Sequence, residues 1–173
     1  MFQTQSIFVL FFISLVLGQD DLPDPRVVIV GETGAGKSSL ADALLGCDPR
    51  GGGCTFSVCG GLESCTNETK IGVGPWLGGS PDFTVVDTPG FGDSSGRDNQ
   101  LITEMMEVLD GQLGYSNVIL LVIDGQTPRF RGGLVDMLRQ MSSIFGETWW
   151  DYMMIGVSKW KLDQASIDER QAD

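Results

Sequence analysis

The apolar residues of this chain fall into two kinds of pattern, which alternate along most of its length. Short unbroken runs rich in β-branched residues predict buried strands, and stretches with apolar residues three or four positions apart predict helices. The predicted strands are Arg26–Val30, Lys70–Val73, Phe83–Asp87, Asn117–Ile123 and Tyr152–Val157, and the predicted helices are Ser39–Leu45, Asn99–Leu109 and Leu134–Phe145. The second and third strands would form a hairpin around the Gly78-Gly79 turn region. This alternation predicts an α/β three-layer sandwich with a mostly parallel sheet.

The N-terminus differs from the rest of the chain. Residues 1–19 carry no charged side chain, and the apolar run Ile7–Leu17 is too short to span a bilayer. Val16 and Gly18 precede Gln19 in the small-residue pattern at which a signal peptidase cleaves. We predict a signal peptide at 1–19, a linker at 20–25 and one domain at 26–173, with a buried strand or a wrongly assigned gene start as alternatives. No later window is long and apolar enough for a membrane span, so we expect none in the mature chain.

Composition narrows the possible chemistry. The formal net charge is −12 and there is no histidine. The charge argues against nucleic acid as a partner, and the missing histidine excludes Ser-His-Asp catalysis and His-ligated metal sites. The chain holds 24 glycines, which cluster in loops and indicate close approach of the backbone to a ligand.

The loop after the first strand carries the most specific motif. Gly31-Glu-Thr-Gly-Ala-Gly-Lys-Ser38 fits the pattern G-x-x-x-x-G-K-[ST] completely. Backbone N–H groups in such a loop converge on a phosphate, Lys37 reaches the β- and γ-oxygens, and the Ser38 hydroxyl is a ligand for Mg²⁺. Chance in a Gly-rich chain is the alternative, but the flanking strand and helix are the context that the motif requires. The predicted phosphate-binding residues are Gly31, Thr33, Gly34, Ala35, Gly36, Lys37, Ser38 and Ser39.

A second motif, Asp87-Thr-Pro-Gly90, ends the third predicted strand fifty residues after Lys37. An aspartate at such a strand end can hold Mg²⁺ through water, and Gly90 can offer its N–H to the γ-phosphate. A switch-type GTPase also needs a threonine between the two motifs that closes over the metal. Thr66 is the preferred candidate, Thr69 is the alternative, and Thr55 is less favoured. Mg²⁺ would then be held by Ser38, Thr66 and Asp87, and Lys37, Thr66 and Gly90 would act on the γ-phosphate.

These motifs resemble those of a known family, the immunity-associated nucleotide-binding GTPases (IAN or GIMAP, avirulence-induced type), relatives of septins and of the chloroplast Toc GTPases. The resemblance covers about Arg26 to Asp163. It is carried by GETGAGKSS, Ser64-Cys-Thr66, Asp87-Thr-Pro-Gly-Phe-Gly-Asp93, Arg129-Phe130 and Phe145-Gly-Glu147. It implies a P-loop G domain that binds GTP or GDP with Mg²⁺ and assembles as a homodimer or oligomer. The chain would end before the last strand and helix of that domain.

The base-reading segment departs from the family pattern. After the last predicted strand the chain reads Ser158-Lys-Trp-Lys-Leu-Asp163, with Lys161 where an acid is expected. Lys159 could stack along the base, and Asp163 could replace the acid. Guanine specificity is therefore implied by the resemblance and not by these residues.

The hydrolytic residues are sparse. Phe91 follows Gly90, and no glutamine lies where a Ras-type GTPase uses one to orient water. We expect slow GTPase activity, with a non-hydrolysing assembly module as the second hypothesis and a P-loop kinase or ATPase as the third.

The cysteines Cys47, Cys54, Cys59 and Cys65 lie close together in a polar loop. In a secreted chain they predict two disulfides with three possible connectivities. In a cytosolic chain they could be reduced or could bind zinc, although their spacing is unlike that of a zinc ribbon. Asn67-Glu-Thr69 is a glycosylation sequon that also favours export. Disulfides and a glycan beside Thr66 would hinder a nucleotide switch, so the secretory pathway and the cytoplasm both stay open.

Overall fold

A computed structural model of the protein describes residues 24–47, 54–56, 66–79, 82–91, 98–126 and 132–160. In this part of the chain five strands form one sheet: β1 (Arg26–Gly31), β2 (Lys70–Pro75), β3 (Asp82–Asp87), β4 (Val118–Asp124) and β5 (Met153–Ser158). Their spatial order is β2-β3-β1-β4-β5. The central strand β1 pairs in parallel with β3 and β4, β5 extends the parallel set beside β4, and β2 is antiparallel to β3.

Helices cover both faces of this sheet. Helix α1 (Lys37–Leu44) lies on one face, and α2 (Asp98–Val108) and α3 (Gly132–Phe145) lie on the other. Side chains of β1 alternate between the two layers: Val27 and Ile29 pack toward α1, and Val28 and Val30 pack toward α2 and α3. Because both faces are covered, all four of these residues are buried, which explains the unbroken apolar run in the sequence.

The predicted α/β three-layer sandwich with a mostly parallel sheet is confirmed. The predicted strands and helices lie within two residues of those in the structure, including the β2–β3 hairpin. Three short helical segments were not predicted: a 3₁₀ turn at Trp76–Gly78, a π-helical turn at Leu109–Leu113 and a 3₁₀ turn at Glu147–Tyr152. The last of these buries Trp149 in the core, where its indole Nε1 donates to Ser142 Oγ at 2.9 Å.

The topology gathers polar residues at one edge of the sheet. Because β1, β3, β4 and β5 are parallel, their carboxyl ends meet there, and these ends carry Gly31, Asp87, Asp124 and Ser158. Ligands of open parallel sheets bind at this edge. No helix within the described ranges is both long and apolar enough to cross a membrane.

Candidate nucleotide-binding site

The loop from Gly31 to Lys37 joins β1 to α1 at the carboxyl edge of the sheet. Gly34 and Gly36 have φ angles of 78° and 86°, a backbone conformation that glycine adopts without the strain that a Cβ would cause. Gly36 is the N-cap of α1, and its carbonyl accepts from Leu40 N at 3.0 Å. The N–H groups of the first helical turn therefore face the loop, and such groups bind anions.

Lys37 is held inside this loop. Lys37 is 6% exposed, and its Nζ donates to the carbonyl oxygen of Glu32 at 3.0 Å. Burial lowers the pKa of Lys37 from 10.5 to about 8, and the carboxylates of Asp87 and Glu32 offset part of that effect. A phosphate group beside Nζ would favour the charged form and raise this pKa again.

Three predicted metal-binding residues come together beside Lys37. Ser38 Oγ donates to Asp87 Oδ2 at 2.6 Å, and it lies 3.0 Å from Thr66 Oγ1. Thr66 Oγ1 donates to the same carboxylate oxygen at 3.4 Å. The residues lie on three separate segments: α1, the stretch before β2, and the end of β3.

Asp87 is the buried centre of this group. It is 1% exposed, and its Oδ1 has no hydrogen-bond partner among the described residues. Burial raises the pKa of Asp87 above its usual value, while the hydrogen bond from Ser38 and the charge of Lys37 lower it in part. An oxygen-donor set of two hydroxyls and one carboxylate suits a hard cation such as Mg²⁺. A cation at the orphan oxygen would relieve the cost of burying the charge, so the residues present fit the metal.

The Asp87–Gly90 segment is fixed to the phosphate loop. The hydroxyl of Thr88 donates to the carbonyl of Ile29 at 2.7 Å, Phe91 N donates to Gly31 O at 3.2 Å, and Thr33 N donates to Phe91 O at 3.2 Å. A Cβ at Gly90 would overlap the backbone and hydroxyl of Thr33. Glycine at this position thus allows the two loops to touch.

Lys159, which follows β5, contacts the phosphate loop on the side opposite to the Asp87–Gly90 segment. Its Nζ donates to Gly34 O at 2.7 Å and to Asp124 Oδ2 at 2.8 Å. Ser158 Oγ donates to Ala35 O at 2.6 Å. The ends of β4 and β5 therefore contact one side of the phosphate loop, and the Asp87–Gly90 segment contacts the other.

Asp124 and Ser158 were missed by sequence reasoning. The available signal was their position at the carboxyl ends of β4 and β5, next to the end of β1. Ser39, which was predicted to bind phosphate, is exposed in the first turn of α1. Thr69 and Thr55, the alternatives to Thr66, make no hydrogen bond to Ser38 or Asp87 within the described ranges. Arg129, Phe130, Lys161 and Asp163 lie outside the described residues.

One disulfide joins Cys47 to Cys54 at the end of α1. The sequence left its pairing open, and Cys59 and Cys65 lie outside the described residues. Asn67 of the sequon is exposed, directly after Thr66. A glycan at Asn67 would therefore stand next to the candidate metal site.

Solved structures with a similar fold come from the chloroplast translocon. Toc33 from Arabidopsis thaliana is similar both as a dimerization-deficient mutant and in complex with Mg²⁺ and GMPPNP. The mutant has 18% identity and a TM-score of 0.65, with 94% of this chain and 64% of that chain covered. The complex has 19% identity and a TM-score of 0.64, with 95% and 64% covered. Each of these similarities shows a shared fold.

A further similar structure comes from the chloroplast translocon components atToc33 and psToc159, for whose GTPase activity dimerization is important. It has 19% identity and a TM-score of 0.65, with 84% of this chain and 53% of that chain covered. The chain thus spans less than two thirds of the length of each of these neighbours.

The comparison with protein families covers most of the chain. Residues 25–168 match the model of the AIG1 family, a range that includes the phosphate loop, the Asp87–Gly90 segment and Lys159. The resemblance inferred from the motifs is confirmed, and the chain belongs to the AIG1 family.

Proposed function

We propose that this protein binds GTP and GDP together with Mg²⁺ and hydrolyses GTP slowly. The observation that carries the proposal is the convergence of the Ser38 and Thr66 hydroxyls on the buried carboxylate of Asp87, beside Lys37. Three segments distant in sequence supply this group, and each provides the kind of side chain that a magnesium–phosphate ligand needs.

Each residue has a distinct role in this proposal. Backbone N–H groups of the glycine loop and the start of α1 receive the phosphate oxygens, and Lys37 supplies a positive charge at the β- and γ-positions. Ser38 and Asp87 would hold the metal, together with Thr66 from the segment before β2. Mg²⁺ would neutralise charge that develops on the phosphate oxygens. Gly90, packed on Thr33, offers its N–H on the γ-phosphate side.

Guanine recognition is assigned to the Lys159 side of the site. The aliphatic stem of Lys159 runs from β5 to the carbonyl of Gly34, so a base bound above the loop can stack along it. Asp124 holds the Lys159 ammonium group in place. The similar Toc33 was solved with a guanine nucleotide analogue and Mg²⁺, which supports the same ligand class here.

Slow turnover follows from the residue after Gly90. Phe91 is 1% exposed and packs in the core between α2 and the sheet; it has no polar group to orient a water molecule. Dimerization bears on GTPase activity in the translocon proteins described above, and we propose the same kind of dependence here. A nucleotide-dependent assembly module without hydrolysis is the second candidate, because the same missing water-orienting group would allow stable GTP retention.

The test is a titration of the full chain with fluorescent GTP, GDP and ATP analogues, with and without Mg²⁺. The expected result is tighter binding of both guanine nucleotides than of ATP, strengthened by Mg²⁺. Single-turnover GTP hydrolysis at several protein concentrations then separates the two candidates. A rate that rises with concentration supports a dimerization-dependent GTPase, and no hydrolysis with stable GTP retention supports the assembly module. Absence of binding to any nucleotide would refute both.

A further inference from the structure

A second group of metal-binding side chains begins at Asp42, one turn along α1 from Ser38 and nearer the C-terminal end of the helix. Asp42 is 1% exposed, a degree of burial that is rare for a carboxylate without partners. Its Oδ1 accepts from the backbone N of Phe56 at 3.0 Å. Its Oδ2 is buried and has no hydrogen-bond partner among the described residues. Half of this carboxylate therefore lacks the partner that a buried charge requires.

Cys47 and Cys54 flank the same carboxylate. One Sγ from each cysteine and one oxygen of Asp42 all lie within 4.8 Å of one another. The backbone N of Cys47 donates to Asp42 O at 2.9 Å, and the Phe56 hydrogen bond fixes the segment that carries Cys54. These two hydrogen bonds to Asp42, one to its carbonyl and one to its carboxylate, hold the segments of both cysteines beside it in addition to the Cys47–Cys54 disulfide.

We propose that Asp42, Cys47 and Cys54 form a zinc site when the Cys47–Cys54 disulfide is reduced. Two thiolates and a carboxylate make a donor set that Zn²⁺ accepts and Mg²⁺ does not, because thiolate is a soft ligand. The site is separate from the nucleotide site and does not depend on the function proposed for it. A fourth ligand would be a water molecule or another group of the chain.

The geometry needs only a small change between the two states. Zinc–sulfur bonds of about 2.3 Å in tetrahedral geometry place two sulfurs about 3.7 Å apart. The sulfurs of a disulfide therefore have to separate by about 1.7 Å to hold the metal. The Cα atoms of Cys47 and Cys54 are 5.6 Å apart, and rotation about the Cα–Cβ bonds supplies that separation.

The unpaired Oδ2 of Asp42 favours metal binding in the reduced state. A disulfide has no hydrogen to donate, so the oxidised form leaves Oδ2 without a donor. A divalent cation between Oδ2 and the two thiolates would satisfy the carboxylate and neutralise the thiolates at once. The isosteric amide of asparagine in its place would be a weaker ligand.

The change of state is a two-electron reaction. A thiol reductant supplies two electrons and two protons, the Sγ–Sγ bond breaks, and the reductant leaves as its own disulfide. Binding of Zn²⁺ to the two sulfurs as thiolates then releases the two protons. An oxidising compartment would favour the disulfide, and a reducing one would favour the metal site.

The experiment uses the full chain carrying Cys59→Ser and Cys65→Ser, so that only the proposed cysteines remain. The protein is reduced anaerobically with a phosphine, freed of reductant and titrated with Co²⁺, whose charge-transfer absorption reports thiolate ligation. Zn²⁺ is then added in competition. We expect one equivalent of Co²⁺, displaced by Zn²⁺, and no thiolate band in the oxidised protein.

Variants separate this site from adventitious binding. Cys47→Ser is expected to remove the two-thiolate spectrum, and Asp42→Asn is expected to weaken Zn²⁺ at least tenfold. Asp110→Asn, an exposed aspartate in the turn after α2, is the matched control and should leave Zn²⁺ affinity unchanged. Failure of the reduced protein to bind Co²⁺, or equal affinity in Asp42→Asn, would overturn the proposal.

A spectroscopic measurement covers the case in which Asp42→Asn does not fold. Zinc-edge X-ray absorption of the reduced parent protein should show two sulfur ligands and at least one oxygen ligand in the first shell. A shell made of sulfur alone, or one with no sulfur, would contradict the assignment.

Discussion

Two lysines hold the phosphate loop from opposite sides, and they do so differently. Lys37 Nζ donates to Glu32 O and Lys159 Nζ donates to Gly34 O, so each contacts a backbone carbonyl of the same turn. Lys37 is 6% exposed as a residue, whereas the side chain of Lys159 is 43% exposed. The proposed phosphate side of the site, around Lys37, is thus a buried polar cluster, and the proposed base side, around Lys159, is a surface contact.

This difference has an energetic consequence. Desolvation lowers the pKa of Lys37 and raises that of Asp87, so both charges are costly without a ligand and strongly favour one that pairs with them. The Lys159–Asp124 pair faces water, which screens it and limits its contribution. We therefore expect affinity to depend mainly on the phosphate side and nucleotide selectivity on the base side.

The largest effect is expected from Lys37→Met, which keeps the length of the side chain and removes its charge. Loss of a buried charge contact should weaken GTP about 100-fold or more, as measured by titration with a fluorescent analogue. Lys70→Met, an exposed lysine on β2, is the control and should bind as the parent does. A loss of less than tenfold in Lys37→Met would break the comparison, because it would place the main affinity elsewhere.

Asp87→Asn should show how much of the GTP affinity on the phosphate side depends on the metal. We expect GTP affinity in Mg²⁺ to fall roughly 10–100-fold, the range seen when groups supporting a metal site are lost. Affinity measured with a chelator should change little, since Asp87 acts through the metal. An unchanged ratio between the two conditions would show that Asp87 does not hold Mg²⁺.

The pH dependence of binding should report Lys37 directly. Burial lowers the pKa of Lys37 to about 8 in the free protein, and the phosphates of a bound nucleotide favour the charged form. Binding above pH 8 must therefore take up a proton, so GTP affinity should fall by up to about tenfold per pH unit there and stay flat just below pH 8. Calorimetry in buffers of different ionisation enthalpy measures the proton uptake, and Lys37→Met should show none.

Lys159→Ala tests the base side and should give the smallest loss. An exposed ion pair and one stacking surface suggest about a tenfold decrease in GTP affinity, with the Mg²⁺ dependence retained. The preference for GTP over ATP should fall with it, as measured by competition. Arg139→Ala, which removes an exposed ion pair with Asp136 on α3, is the control. An unchanged preference would show that the base is read by other residues.

Local patterns in the sequence were sufficient to predict the elements of the fold and part of the site. The run Arg26–Val30 is apolar because α1 covers one face of β1 and α2 with α3 cover the other. The phosphate loop can be recognised in the sequence because consecutive backbone N–H groups would bind the phosphate, and this arrangement needs glycine at fixed spacings. Thr66 was preferred to Thr69 at the sequence level, and the structure places Thr66 beside Ser38 and Asp87.

Other contacts could not be predicted because they join segments that are far apart. Ser158 reaches Ala35 across 123 positions, and Lys159 reaches Gly34 across 125. Asp42 reads as one polar residue in an amphipathic helix, and only its burial beside Cys47 and Cys54 distinguishes it. The contacts of Ser158 and Lys159 depend on the strand order, which no local pattern specifies.

The sequence by itself determined the alternation of strands and helices, the phosphate loop and the candidate Asp87–Gly90 segment, because each depends on residues within a few positions of one another. The tertiary structure decided which threonine meets Asp87, which residues of β4 and β5 contact the phosphate loop and which cysteine pairs with Cys47. The contacts at the phosphate loop follow from the parallel order β3-β1-β4-β5, which brings the carboxyl ends of the four strands to one edge and sets distant side chains in contact.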